Sequence, residues 1–282
     1  MPVSPLPRHI VTEAVTRAFA EDQGGRGDIT SLACIPANSE EKFYFKAREA
    51  GVICGLEPAV EAVWQMDPDA LISLQVKDGG TVKAGEVLFG VNGQARALLS
   101  AERIALNFLG RMSGIATFTR RHVDAVAGTG AKIVHTRKTT PGLRAFELQA
   151  VQAGGGALHR YGLDDAILIK DNHVAVCGGV AAAVAAAKAH AGHMTRVAVE
   201  IDRLDQLAEA VEAGAENVLL DNFSLDDLKA AVAEAKGRVT LEASGGVNLD
   251  TVRAIAETGI DVISVGALTH SAPNFDVGLD EA

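Results

Sequence analysis

The sequence predicts an α/β protein, with an amino-terminal α+β sandwich-like domain followed by an open, incomplete α/β barrel. Three observations carry that prediction. Six short apolar runs in the second half each lead into a polar or glycine-rich cluster, which is the texture of buried parallel strands whose carboxyl ends carry the chemistry. The run ends at Glu200, Asp221, Glu242 and Ser264 are 21, 21 and 22 residues apart, a compact βα unit repeated with right-handed crossovers. The stretch from about Phe43 to Asn92 instead places short strand-like runs between glycine turns.

Along the chain, residues 1–10 contain three prolines and no apolar core of signal-peptide length. Strand-like runs follow at 43–47, 51–55, 71–76 and 87–91, punctuated by Asp78-Gly79-Gly80, Ala84-Gly85 and Asn92-Gly93. From about Ser100, a potential N-cap, the residues Ile104, Phe108, Leu109, Met112 and Ile115 recur at helical spacing. This helix is expected to bridge two domains. After Ala131 strand and helix alternate. The strands are Lys132-Ile133-Val134-His135, Ile167-Leu168-Ile169, Val197-Ala198-Val199, Val218-Leu219-Leu220, Thr240-Leu241 and Val262-Ile263-Ser264-Val265. Between them lie helices at 182–191, at 204–213 with Asp202 or Asp205 as cap and Gly214 as stop, after Ser224 with Asp227 as a capping box and Gly237 as stop, and from Asn248 to Gly259. Fewer than eight clear strands are visible, hence the incomplete barrel. Residues 273–280 lack helical periodicity and are expected to return as an edge strand. The expected domains are 1–115, joined by 270–282, and 116–269.

A hydrophobic content of 48% in 282 residues supports a sizeable core. With 4% aromatic residues and a net charge of −10, a nucleic-acid surface is not expected. No run approaches the roughly 18 apolar residues of a membrane span. Cys34, Cys54 and Cys177 lack paired spacing, so neither a disulfide framework nor a zinc site is expected, and the location is read as cytoplasmic.

The chemistry gathers at the run ends. Arg137 and Lys138, after Thr136, are adjacent cations directly behind a strand, and nothing but an anion makes a barrel mouth comfortable for them. Gly154-Gly155-Gly156 precedes His159 and Arg160. A lone histidine is more often structural, but Arg160 has the planar fork that matches a carboxylate. Lys170 ends an apolar strand, where an ammonium calls for a phosphate or carboxylate unless it reaches the surface. Glu200 and Asp221 repeat the arrangement with opposite sign and suit Mg²⁺ or sugar hydroxyls. Ser244, Gly245, Gly246 and Gly266, after the last two strands, stand where barrels bind phosphate through backbone N–H groups.

The segments TRKTTPGLR, AGGGALHRYGL, ILIKDNH, VLLDN and LEASGGV, in this order, resemble the quinolinate phosphoribosyltransferase family, with likeness from GDIT at Gly27 to VGALTHSAP. The resemblance implies transfer of phosphoribosyl from phosphoribosyl pyrophosphate to quinolinate with decarboxylation, using Mg²⁺. It implies a homodimer, or an assembly of dimers, in which Arg103 completes the neighbouring subunit's site. It further implies that Arg137, Lys138, His159 and Arg160 hold the dicarboxylate, with Thr136 beside them. Lys170, Glu200 and Asp221 would engage the sugar pyrophosphate and, directly or indirectly, the metal, with Lys138 and these three as the catalytic set. Ser244, Gly245, Gly246 and Gly266 would cradle the 5′-phosphate. Glu147-Leu148-Gln149 stands where the family usually has Glu-Lys-Tyr, and Leu158 where it has Asn. If that lysine places a phosphate or braces Glu147, its loss lowers affinity. The alternative activities are a related transferase acting on nicotinate or another heteroaromatic acid, a carrier module built on the hairpin at 76–86, and an aldolase-like barrel with Lys170 as Schiff base.

Overall fold

The computed structural model describes residues 3–281, which divide into two compact units: 3–120 with 140–155 and 272–281, and 121–139 with 156–271.

The first unit opens with α1 (Arg8–Gln23) and α2 (Ile29–Cys34), the latter capped by Asp28, whose carboxylate accepts the Thr30 and Ser31 amides. Then come β1 (Glu40–Ala47), β2 (Gly51–Val52), α3 (Leu56–Met66), β3 (Leu71–Leu74), β4 (Thr81–Val82), β5 (Val87–Gln94) and the long α4 (Ala95–Ala125), which runs on into the second unit. The strand-like texture of residues 43–92 hides α3, whose apolar Leu56, Ala59, Val60 and Val63 fall at helical spacing and are buried. Ser100 is no N-cap: it lies inside α4, which starts at Ala95, and its hydroxyl donates back to the Arg96 carbonyl. On the antiparallel sheet Phe45 stacks on Phe89 across the β1–β5 pair, ring centroids 4.3 Å apart.

The second unit is a parallel α/β array. It contains β6 (Lys132–Val134), and after the excursion to α5 (Arg144–Ala153) in the first unit it continues with β7 (Ile167–Ile169), α6 (Asp171–Cys177), α7 (Val180–His190), β8 (Val197–Ile201), α8 (Gln206–Glu212), β9 (Asn217–Asp221), α9 (Leu225–Ala235), β10 (Thr240–Ser244), α10 (Val252–Ala256), β11 (Val262–Ser264) and α11 (Ala267–His270). Strand order is β6-β11-β10-β9-β8-β7, so β6 and β7 are the two ends and do not pair with each other. This is the open barrel. The final strand β12 (Val277–Glu281) pairs antiparallel with β1, giving the first unit's sheet the order β12-β1-β5-β3.

Ser224 accepts the Asp227 amide at the head of α9, as its spacing suggests. A side chain at Gly154 would collide with the Ala116 carbonyl and Thr119, so this glycine permits a close approach of α5 to α4 within the first unit.

The parallel register fixes which residues face inward. Lys170 follows Ile169, which pairs with Val199, so it stands beside Glu200; Glu200 pairs with Leu219, and Leu219 with Glu242. One step of two residues later, Asp221 pairs with Ser244. Side chains alternate faces along a strand, so these positions form two successive inward layers.

Candidate active site

The two layers, together with the segments after β6, line a cavity of about 430 Å³ that draws all its residues from the second unit. Thr136, Arg137, Lys138, His159, Arg160, Lys170, Glu200, Asp221 and Ser244 all border it, as do four residues not assigned to the site from the sequence: Leu168, Leu219, Glu242 and Ser264. Gly245, Gly246 and Gly266 follow the bordering strand ends without lining the cavity, and Arg103 lies exposed on α4 of the first unit.

The segment after β6 is held by its own backbone. Lys138 N–H donates to Thr136 Oγ1 at 3.1 Å, and Thr269 Oγ1 donates to the Lys138 carbonyl at 2.7 Å. His135, fully buried, donates from Nδ1 to the Thr136 carbonyl at 3.0 Å and accepts the His159 amide on Nε2 at 3.0 Å. The Ala157 amide meets the Ile133 carbonyl at 2.8 Å. These bonds lay the His159-Arg160 segment alongside β6.

Arg160 donates from Nη1 to the Ala166 carbonyl at 2.9 Å. Burial, and then the neighbouring Arg137 charge, pull its guanidinium below the usual arginine range, against a smaller opposing pull from Asp165. Arg137 and Arg160 border the same cavity, and a carboxylate between them would pair with both charges, so this part of the lining is an anion site.

Across the cavity Lys170 Nζ donates to Glu200 Oε2 at 2.6 Å. Asp221, on the next strand, accepts from Asn222 Nδ2 at 2.9 Å. No group of three or more His, Cys, Asp or Glu side chains is arranged to hold a metal among the described residues. Two hard carboxylates at adjacent strand ends still fit Mg²⁺, which takes one or two protein oxygens and draws the rest from water and substrate phosphates.

After β10 the chain turns through Gly245 at φ +95° and Gly246 at φ +60°. A side chain at Gly245 would run into that of Asn222, itself at φ +58° with its amide bonded to the Ser244 carbonyl at 2.9 Å. At Gly266 an added Cβ would lie 3.0 Å from Lys138 Cδ, so the lysine stem rests against this turn.

Family models for quinolinate phosphoribosyl transferase match the chain twice, the N-terminal domain over residues 28–113 and the C-terminal domain over 115–280. The chain belongs to the quinolinate phosphoribosyltransferase family. A nicotinate-nucleotide pyrophosphorylase [carboxylating] of Mycobacterium leprae is 44% identical over 274 residues, covering 95% of this chain and 96% of that protein. A probable nicotinate-nucleotide pyrophosphorylase [carboxylating] of Bacillus subtilis is 40% identical over 272 residues, 96% of this chain and 94% of that one. The solved structure of the Francisella tularensis nicotinate-nucleotide pyrophosphorylase superposes with a TM-score of 0.95 at 39% identity, over 100% of this chain and 99% of that one.

The departures from the family pattern fall outside the cavity lining. Leu148 and Gln149 are buried in α5 of the first unit, where Gln149 Nε2 donates to the Ser4 carbonyl at 3.0 Å. Glu147 needs no lysine brace, since Arg111 and Thr140 already bind it. Leu158 is about half exposed. Among the described residues no single helix is long and apolar enough to cross a membrane.

Proposed function

We infer that this chain transfers the phosphoribosyl group of phosphoribosyl pyrophosphate to quinolinate and releases CO₂ and pyrophosphate, giving nicotinate mononucleotide in de novo NAD biosynthesis. Family membership supports the reaction. The observation that carries the assignment of the site is a single cavity bordered by Arg137 and Arg160 together with the Lys170–Glu200 pair and Asp221. A planar dicarboxylate answers the first group, and a sugar pyrophosphate the second.

In this reading Arg137, Arg160 and Lys138, with Arg103 from a second copy, hold the two carboxylates and aim the ring nitrogen at the ribose C1. The N–C1 bond forms as the C1–O bond to pyrophosphate breaks, through a loose, cation-like transition state. Lys170 faces the departing oxygens, and Glu200 and Asp221 stand near the sugar as preorganised charge. Asp221 and Glu200 are the residues that would hold Mg²⁺, which would supply charge neutralisation for the leaving group. Once the nitrogen is quaternary, the C2–CO₂⁻ bond breaks, its electrons stay on C2 stabilised by the adjacent N⁺, and a proton replaces CO₂. Ser244 and the backbone N–H groups of Gly245, Gly246 and Gly266 take the 5′-phosphate. The working unit is a cytoplasmic homodimer.

Incubation with phosphoribosyl pyrophosphate, Mg²⁺ and either quinolinate or nicotinate tests this. Quinolinate should give nicotinate mononucleotide and one CO₂ per turnover; product from nicotinate alone would replace this reading with the related transferase. For the shared site, Arg103→Ala and Lys170→Ala should each be inactive, and mixed, re-equilibrated dimers should regain part of the activity. Verified heterodimers without recovery would refute completion by a second copy.

A further inference from the structure

The amide and both ring nitrogens of His159 face protein groups. Its amide donates to His135 Nε2 at 3.0 Å, and its Nδ1 accepts the Arg160 amide at 2.7 Å. A ring nitrogen that accepts carries no proton, so the single N–H is on Nε2. That nitrogen faces Glu242 Oε2 at 3.3 Å. The imidazole thus has its one proton on the side of a protein carboxylate.

Glu242 is the third residue of β10 and, by register, lies in the same inward layer as Glu200, beneath the Asp221–Ser244 pair. It borders the cavity, and only 7% of its side chain is exposed. Its Oε1 is buried with no hydrogen-bond partner among the described residues. A carboxylate held this way opposes folding, because one oxygen has lost water and gained no donor. Glutamine would fit the same space without the charge. The charge itself is therefore the property to explain. Screened from water, it acts over a longer range than an exposed carboxylate, and it borders the cavity one layer from Asp221.

We propose that Glu242 is a further catalytic carboxylate, bordering the ribosyl group from below and stabilising its positive charge in the transition state, and that His159 is its positioning residue. This rests on the phosphoribosyl-transfer reading above. It gives His159 a role different from dicarboxylate binding, and the two roles predict different kinetics.

The experiment is a single-turnover measurement with quinolinate and phosphoribosyl pyrophosphate on the full-length wild type, Glu242→Gln, Glu242→Asp, His159→Gln and the Glu242→Gln/His159→Gln double variant, with unfolding curves for each. Wild type must first form nicotinate mononucleotide; if it does not, the functional reading fails, whatever Glu242 does. Given that product, Glu242→Gln should slow the chemical step roughly 100-fold, the scale of losing one preorganised electrostatic group, with quinolinate KM unchanged and stability equal or higher. Glu242→Asp keeps the charge and should retain more of the rate. His159→Gln should lower the same rate constant without raising quinolinate KM, and the double variant should be no slower than Glu242→Gln alone. A Glu242→Gln enzyme with wild-type single-turnover rate overturns the proposal, as does a His159→Gln enzyme whose only defect is a raised quinolinate KM.

Discussion

Replacing Glu147 by alanine should cost the first unit a large share of its stability. Glu147 is fully buried on α5. Its Oε1 accepts from Arg111 Nη2 at 2.6 Å, Arg111 Nε at 3.1 Å and Thr140 Oγ1 at 2.7 Å, and its Oε2 accepts the Thr140 amide at 3.0 Å. Alanine deprives Arg111, whose side chain is only 24% exposed, of that carboxylate. Breaking a buried ion pair from one side costs about 3–5 kcal/mol. The two Thr140 bonds add about 1 kcal/mol each at most, but Thr140 is exposed and water replaces part of them. A loss of about 4 kcal/mol is therefore expected. The single tryptophan, Trp64, lies in the same unit, so its fluorescence in a urea titration reads that unit's unfolding. Arg111→Met/Glu147→Leu, which removes both charges and keeps the volume, should recover much of the loss. If Glu147→Ala loses less than about 1 kcal/mol, or the single-variant losses simply add in the pair, the buried ion pair is not what holds Thr140 and α5 together.

Three further outcomes follow from other parts of the structure. Burial pushes the Asp78 carboxyl up to about 6, against the opposing pull of the Leu56 and Gly55 amides. The folded chain therefore binds that proton more tightly than the unfolded one, and the contribution is full below about pH 4 and lost as pH rises through about 6. Relative to Asp78→Asn, the wild type should lose at most about 3 kcal/mol between pH 4 and 7, and a pH-independent difference in urea midpoints would contradict this. Gly245→Ala combines a positive φ with a collision at Asn222, whereas Gly246→Ala meets open space. The first should cost about 1–3 kcal/mol and raise KM for phosphoribosyl pyrophosphate, the second less of both, measured by urea unfolding and initial rates. Arg160→Lys keeps a charge but loses the planar fork, and should raise quinolinate KM roughly tenfold, the scale of about 1.4 kcal/mol, with little effect on the KM of the sugar pyrophosphate.

Much of the second unit was legible because each βα repeat has an apolar strand followed by a polar end, and that alternation is local. Val197–Ile201 and Asn217–Asp221 form where the runs lie, and Glu200 and Asp221 border the cavity because they face inward at or next to the carboxyl ends of those strands. The first unit was less legible. The helix Leu56–Met66 sits among strands and carries Pro58 in its first turn, so local propensity competes with the burial of Val60 and Val63 that decides the outcome. The start of α4 at Ala95 is set by Asp67, whose carboxylate accepts the Gln94 amide at 2.8 Å, a contact spanning 27 residues that no local cap signal encodes.

Glu242 shows most clearly why the candidate site was only partly legible. Its place near a strand end is visible from the 21-residue spacing, yet in LEASGG the more obvious chemistry is Ser-Gly-Gly. Whether an acidic residue there is a solvated strand end or a buried charge depends on two facts that are not local. One is the register that sets it level with Glu200. The other is the approach of His159, a residue 83 positions away by numbering that is placed by His135 at the end of β6. A histidine read alone suggests either structure or ligand, and an acid read alone suggests metal or sugar. Only their close approach, with Nδ1 already occupied by the Arg160 amide, assigns the proton and hence the direction of influence: from the imidazole toward the carboxylate, and from the carboxylate toward the cavity it borders.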